Sequence, residues 1–437
     1  MSVKAVRVKD IMGVMEEIAP KKLAENWDKP GLAIGDPERE VKKILVALDV
    51  IDPVVEEAKR IGADMIVTHH PMLLFRKIES ITADTLLGKR IFNLIQNNIA
   101  AFSAHTNLDV AAGGTNDVLA ELAGLKNIEI LEETWAESLK KIVVYVPAGY
   151  EQAVRDAMCG AGAGHIGAYS HCTFGAAGKG TFLPLEGTNP FFGEQGRLET
   201  ADEIRLETIV PAEKVHAVVQ AMLAAHPYEE AAYDIYPVEQ TGKKEGIGRI
   251  GELPQAIPFR DFAKQLKERL GLDAIRLVGD GENPVKRVGL CTGTGVEFVS
   301  LAAAKGCDAY LTADIKYHEA QKAVELGIAV ADVTHYASEV LIVPVLQEKL
   351  QAALNEQGFG EAVALETDNG RGVMFTTGEV AYGLFYETKQ RRFVLRSATM
   401  KTPKEPGDWR QLSVWLFDEG ENTMQDAESI ANDFLEL

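Results

Sequence analysis

Between Val41 and Leu125 short runs of β-branched and aliphatic residues alternate with stretches in which apolar side chains recur every three or four positions. Lys43 to Leu48, Asp64 to Thr68 and Ile99 to Ser103 have the length and composition of buried strands. Pro53 to Ile61, Asp84 to Asn97 and Thr115 to Gly124 have the helical period. Strand and helix alternating in blocks of this size predict the α/β class, with parallel pairing and right-handed crossovers. A second block of the same kind runs from Val285 to about Leu354, with strands at Arg287 to Cys291, Asp308 to Thr312 and Ile328 to Asp332.

The blocks can be laid side by side. AKRIGADMIVTHH (Ala58 to His70) matches AAKGCDAYLTADI (Ala303 to Ile315), and NIAAFSAHTNLD (Asn98 to Asp109) matches GIAVADVTHYASE (Gly327 to Glu339). The second pair each end a strand in a histidine with an acid four residues on, His105 with Asp109 and His335 with Glu339, in registers one residue apart. The expectation is one discontinuous domain of two duplicated three-layer α/β halves, residues 1–135 and 248–358. Between them, Lys140 to Val146 reads as a strand, Glu151 to Gly160 as a helix and Gly160 to Gly196 as a glycine-rich stretch. Glu203 to Val210, Ala212 to Ala225 and Ala231 to Val238 then read as strand, helix and strand. That order predicts an inserted α+β domain of ferredoxin-like type over residues 136–247. After Phe359 the pattern changes to a meander of short strands (Arg371 to Thr376, Ala381 to Tyr386, Arg392 to Ser397, Leu412 to Phe417) and an amphipathic helix, Thr423 to Leu437. Residues 359–437 are thus expected to form a small α+β extension.

Composition narrows the function classes. The 437 residues carry 45 Lys and Arg against 65 Asp and Glu, a formal charge of −20. An average field of that sign repels phosphate, which argues against coating nucleic acid or anionic membrane. The N-terminal segment mixes both charge signs among its apolar residues, unlike a signal peptide, and no apolar run approaches the ~18 residues needed to span a bilayer. A cytoplasmic protein is expected. Its four cysteines, Cys159, Cys172, Cys291 and Cys307, form no CxxC pair, so neither a thiolate zinc cage nor a disulfide framework is indicated.

The concentrated chemistry lies in three short segments. His69 and His70, in IVTHHPMLLF, end a predicted buried strand. Successive strand side chains point to opposite faces, so both rings serve one cluster only where the backbone turns, and Pro71 supplies a turn. Asp109, in HTNLD, lies beyond the next strand end, where ligands of open α/β sheets bind; a helix cap is the competing role. His335 and Glu339, in HYASE, are four apart and share a helical face. Three imidazoles and two carboxylates are too mixed for a closed structural zinc site. They suit two borderline divalent ions (Zn, Fe, Mn or Co) with open positions for water, which is hydrolytic chemistry. His105 and His318 are candidates for moving protons at the same crevice, with a structural role as the competing reading of each. CTGTG (Cys291 to Gly295) could meet a phosphate at a helix N-terminus but lacks the P-loop lysine. His165, His171 and Cys172 fit a plain loop, and His226 the end of a helix before Pro227.

Taken together, LAENWDKPGLAIGDP (Leu23 to Pro37), VTHHPMLLF (Val67 to Phe75), AHTNLDVAAGGTNDVLAELAGL (Ala104 to Leu125), HPYEEAAYDIYP (His226 to Pro237) and DVTHYASE (Asp332 to Glu339) resemble the YbgI/YqfO dinuclear-metal family, also called GTP cyclohydrolase 1 type 2 or Nif3-like proteins. The resemblance covers residues 1 to about 355. It implies two divalent metal ions per chain held by His69, His70, Asp109, His335 and Glu339, an insert of PII/CutA type, and a toroidal homohexamer. It further implies GTP as substrate, with ring opening at the imidazole carbon and release of formate toward dihydroneopterin triphosphate. A toroidal metal-binding scaffold or regulatory protein, taking a small ligand or protein partner through the insert, is the alternative from another class. The tail after Phe359 departs from the family pattern.

Overall fold

In a computed structural model of the chain, residues 5–73 and 80–359 are described, together with the backbone of five strands between 364 and 416. The chain divides into two compact units, 1–132 with 246–437, and 133–245. The helix expected at Thr423 to Leu437 lies outside the described residues.

The outer unit opens with α1 (Val8–Ile18), which buries Val8, Ile11, Val14 and Met15 at helical spacing. Then follow β1 (Gly31–Ile34), β2 (Lys43–Ala47), α2 (Asp52–Ile61), β3 (Met65–Thr68), α3 (Leu86–Gln96), β4 (Ala100–Ser103) and the helices α4 (Thr106–Val110) and α5 (Thr115–Leu122). Gly62, at φ +70°, ends α2 in the left-handed cap that glycine adopts without strain. Strands β2, β3 and β4 pair in parallel, and β1 is antiparallel to β4. Because β3 is central, all four of its residues are buried, which explains its continuous apolar run. Leu45, Ile66 and Ala101 of the sheet pack with Val54, Val55 and Ala58 of α2 and Leu94 of α3.

The inner unit comprises most of β5 (Lys126–Pro147), then α6 (Glu151–Gly160), β6 (Thr173–Phe182), β7 (Glu199–Pro211), α7 (Val215–Ala225) and the first part of β8 (Tyr233–Pro258). Its strand order is β6-β7-β5-β8, with β7 antiparallel to both β5 and β6. Alternate residues of β5 (Ile142, Val144, Val146) meet Val154 and Met158 of α6 and Val218 and Met222 of α7. Both helices therefore cover one face. The glycine-rich stretch contains a strand, β6, that its pattern does not announce: TFGAAGKGTF has few side chains large enough to alternate.

The outer unit resumes within β8 and continues through α8 (Phe259–Leu270), β9 (Arg276–Val278), β10 (Pro284–Leu290), α9 (Val299–Ala304), β11 (Ala309–Thr312), α10 (Tyr317–Leu326), β12 (Ala329–Asp332), α11 (His335–Glu339) and α12 (Ile342–Glu356). Strands β10, β11 and β12 are parallel, with β9 antiparallel to β12. The order of elements and the pairing repeat those of α1 to α5. A short strand, β13 (Ala364–Asp368), then adds in parallel to β2 and completes the first sheet in the order β1-β4-β3-β2-β13. It lies inside the stretch assigned from sequence to the tail. Strands β14 (Arg371–Thr377), β15 (Val380–Glu387), β16 (Arg392–Thr399) and β17 (Arg410–Leu416) form a separate antiparallel meander. The protein is thus mixed α/β with two mixed sheets in its first 368 residues. Among the described residues no helix is long and apolar enough to cross a membrane.

Candidate metal centre

Every side chain of the centre hangs from the carboxyl end of a parallel strand, or from the helix that follows it, as the crevice rule for open α/β sheets requires. After β3 the ladder runs one residue further, with His70 N donating to Leu48 O at 2.9 Å. The Thr68 hydroxyl then donates to His70 O at 2.9 Å and hooks the chain over. This local bend brings both rings to one side, their centroids 4.9 Å apart. After β4, His105 caps α4 and Asp109 follows within the same short helix. After β12, Thr334 stands at φ 66°, unusual for a β-branched residue, and its hydroxyl accepts from Ala337 N to start α11. That start places His335 Nε2 3.2 Å from Glu339 Oε2, the i, i+4 pair expected from HYASE.

The four imidazoles share one arrangement. His69 Nδ1 meets Ala104 O at 3.0 Å, His70 Nδ1 meets Asp49 at 2.8 Å, His105 Nδ1 meets Asp28 at 3.1 Å, and His335 Nδ1 meets Asp314 at 2.7 Å. In the neutral ring, with Nδ1–H donated outward, Nε2 carries the lone pair, the tautomer a metal ligand needs, and a carboxylate or carbonyl behind the ring is the usual support of such ligands. His69 Nε2 is fully buried without a hydrogen-bond partner, 3.6 Å from Asp109 and 3.9 Å from Glu339. Glu339 is 4% exposed; its Oε2 lies 2.8 Å from His70 Nε2, yet no N–H is aimed at it. Buried polar atoms are seldom left without partners, so this pair of orphans marks a place for a cation. Two sets bring their ligand atoms within 4.8 Å of one another, His69 with His70 and His105, and His70 with His335 and Glu339. The residues present fit divalent ions.

Charge is concentrated to match. Burial pulls the His70 imidazole down, but Asp49 and Glu339 outweigh it and raise it to about 10. The contact with Glu339 raises His335 to about 9 against burial, helped by Asp314. Burial likewise lowers His69, and Asp109 and Glu339 reverse that into a net rise. Glu339 is desolvated, yet His335, His69 and His70 hold it well below the usual carboxylate range. For Asp109 burial wins, aided by the Glu339 charge, and its carboxyl is raised although the Thr115 hydroxyl donates to it. Behind His105, Asp28 is pushed up by burial but held at about 2 by hydrogen bonds from His105 and Thr106.

Four of the five expected ligands, His69, His70, His335 and Glu339, fall in these sets together with His105, and Asp109 stands beside them, 3.6 Å from His69 Nε2. His318 does not: it lies exposed on the first turn of α10 with its ring against Tyr317. CTGTG meets the centre in a different way from the phosphate loop considered above. The N–H groups of Thr292, Gly293 and Gly295 already donate to Asn116, Ser338 and Thr312. What this turn supplies is room, since a Cβ on Gly293, at φ +59°, would lie 2.3 Å from Glu339 Oε1. His226 ends α7 as expected, its Nδ1 accepting from Tyr228 N and its Nε2–H donating to Tyr145 O. His165 and His171 are exposed and belong to neither set. Sequence reasoning missed Asp28, Asp49, Asp314 and Thr115. For Asp49 and Asp314 a signal existed, because each is an acid just past the end of a predicted parallel strand.

Comparison with known proteins identifies the family of the chain. The family model described as Duf34/NIF3 (NGG1p interacting factor 3) matches residues 6–369. A GTP cyclohydrolase 1 type 2 homolog of Bacillus subtilis (strain 168) is 43% identical over 366 residues, 84% of this chain and 98% of the relative. A Mycobacterium tuberculosis protein of the same name is 40% identical over 339 residues, 77% of this chain and 89% of its own. Among solved structures, a Bacillus cereus protein related to NIF3 superposes with a TM-score of 0.78 at 40% identity, covering 86% of this chain and all of that one. The chain belongs to the DUF34/NIF3 family.

Proposed function

We propose that the chain is a dinuclear divalent-metal-dependent hydrolase acting on GTP or a related nucleotide. The observation that carries this is the gathering of four imidazoles, each with Nδ1 fixed from behind, around buried Glu339, with buried Asp109 3.6 Å from His69 Nε2. In this assignment His69, His70, Asp109, His335 and Glu339 hold the ions. Two such ions would supply Lewis acidity and a water made nucleophilic near neutral pH. The protein's own part is orientation and proton handling. Asp28, buried and anionic, holds the His105 ring so that Nε2 faces the site and can take or give a proton. His318, outside the cluster, has no part in it. Support for a nucleotide substrate comes from the relatives named GTP cyclohydrolase 1 type 2 homolog. The finer architecture belongs to the same proposal: two duplicated halves, with an insert of ferredoxin-like, PII/CutA-type topology supported by the strand order β6-β7-β5-β8. So does a cytoplasmic homohexamer.

Metal analysis of purified protein, followed by a formate-release assay with GTP, tests the reading. About two ions per chain and formate release are expected, with both reduced in Asp109→Ala and turnover lost in His105→Ala. Metal without formate would reject GTP ring opening and leave the site. Absence of bound metal would reject the dinuclear centre itself.

A further inference from the structure

The inner unit holds a cavity of about 600 Å³, within the range that takes drug-sized or nucleoside-sized ligands. One wall is backbone, because β6 contributes Ala176, Ala177, Gly178 and Gly180. The lining also holds an aromatic group in which the Tyr228 ring lies 6.0 Å from Phe182, at the end of β6, and 5.9 Å from Phe191. Phe191 is 48% exposed, on a loop outside regular structure. A flat ring entering here would stack and cover it.

The charged groups at the cavity favour one chemistry. Its two cations are already engaged, Lys179 with Asp202 at 2.7 Å and Arg205 with Glu207 at 2.7 Å. Each therefore offers a phosphate less positive potential than a lone cation would. Glu203 lies over the glycine strand, its Oε2 2.0 Å from where a Cβ on Gly180 would stand, so glycine there is what lets the carboxylate reach across the wall. The Tyr228 hydroxyl donates to Glu203 Oε1 at 3.2 Å and orients it, leaving Oε2 and the second lone pair of Oε1 for a ligand. An oriented carboxylate beside aromatic faces pairs with adjacent N–H donors on a planar ring. The guanine edge offers two donors side by side, whereas adenine sets an acceptor next to its donor and would be repelled.

The geometry points to a second ligand site in the inner unit, a pocket for a planar nitrogen heterocycle with a guanine-type donor edge read by Glu203. It stands independently of the metal centre. Isothermal titration of the full chain with guanosine tests it, with adenosine and inosine, which lacks the 2-amino donor, as comparisons. Saturable guanosine binding is expected, weaker by about tenfold or more in Glu203→Gln, in Phe191→Ala and for inosine, and unchanged in Asp109→Ala. Circular dichroism melting verifies that the variants fold, and Phe191→Ala, on an exposed loop, keeps the test open if Glu203→Gln does not. No saturable binding, equal binding of adenosine, or guanosine binding indifferent to both pocket substitutions would overturn the site. Loss of binding in Asp109→Ala would move the ligand to the metal centre and equally overturn it.

Discussion

His69, His70, His105 and His335 differ from the chain's other histidines in what stands behind them. His226 uses both ring nitrogens on backbone groups and caps a helix, whereas three of the four use Nδ1 on a carboxylate and leave Nε2 for the centre. Asp49 and Asp314 are therefore positioning residues. Asp49→Asn and Asp314→Asn should each weaken metal binding about 10- to 100-fold, read by chelator competition. Protonation gives a second test. In the metal-free protein Asp49 and Glu339 raise the His70 imidazole to about 10, and Glu339 with Asp314 raises that of His335 to about 9, both above the ordinary value of 6.5. Raised folded-state values mean stability fully present below pH ~6.5 and lost as pH rises through about 9 to 10. The urea midpoint of metal-free protein should fall between pH 7 and 10. Loaded protein, whose imidazoles are already neutral, should not show that fall, and loading at pH 7 should release protons into a weakly buffered solution.

At the scale of elements, the centre depends on turns as much as on ligands. Gly293 combines φ +59° with a position at which a Cβ would lie 2.3 Å from Glu339 Oε1. Gly293→Ala should cost about 1 to 2 kcal/mol of stability for the backbone alone. It should also displace Glu339 and lower metal affinity by more than tenfold, measured by denaturant unfolding and by metal analysis after dialysis. Neither strain nor crowding is visible in CTGTG as letters, which is why that motif suggested a phosphate loop instead. The parallel strands were legible because burial on both faces leaves uninterrupted apolar runs, and their ends located His69, His70, Asp109, His335 and Glu339. Strand β6 was not legible, since glycine and alanine carry no period. The reach of β5 and β8 was also hidden: Lys126–Pro147 and Tyr233–Pro258 are rich in exposed polar residues that read as connecting loops. Asp28 could not be assigned to His105 from sequence, because the partners are far apart along the chain and meet only through the fold.

For the molecule as a whole, the question is where the unit that carries the candidate centre ends. The family model stops at 369, just after β13, and the meander of β14 to β17 forms a sheet of its own. β13 is different in kind, since its backbone pairs along the whole of β2 from Lys43 to Ala47. Ile44 to Ala47 are fully buried, and Asp49, which holds His70, follows two residues later. A chain ending at Asn369 should therefore keep its metal content and melt within about 2 °C of the full chain. A chain ending at Phe359 would leave β2 as an unpaired edge, a condition that invites aggregation. It should melt at least about 5 °C lower and bind metal more weakly, because the strand that carries Asp49 loses one of its two neighbours. Differential scanning calorimetry and metal analysis of the two truncations decide the matter. Equal loss in both would show that the meander supports the centre, and no loss in either would show that β13 is dispensable to it.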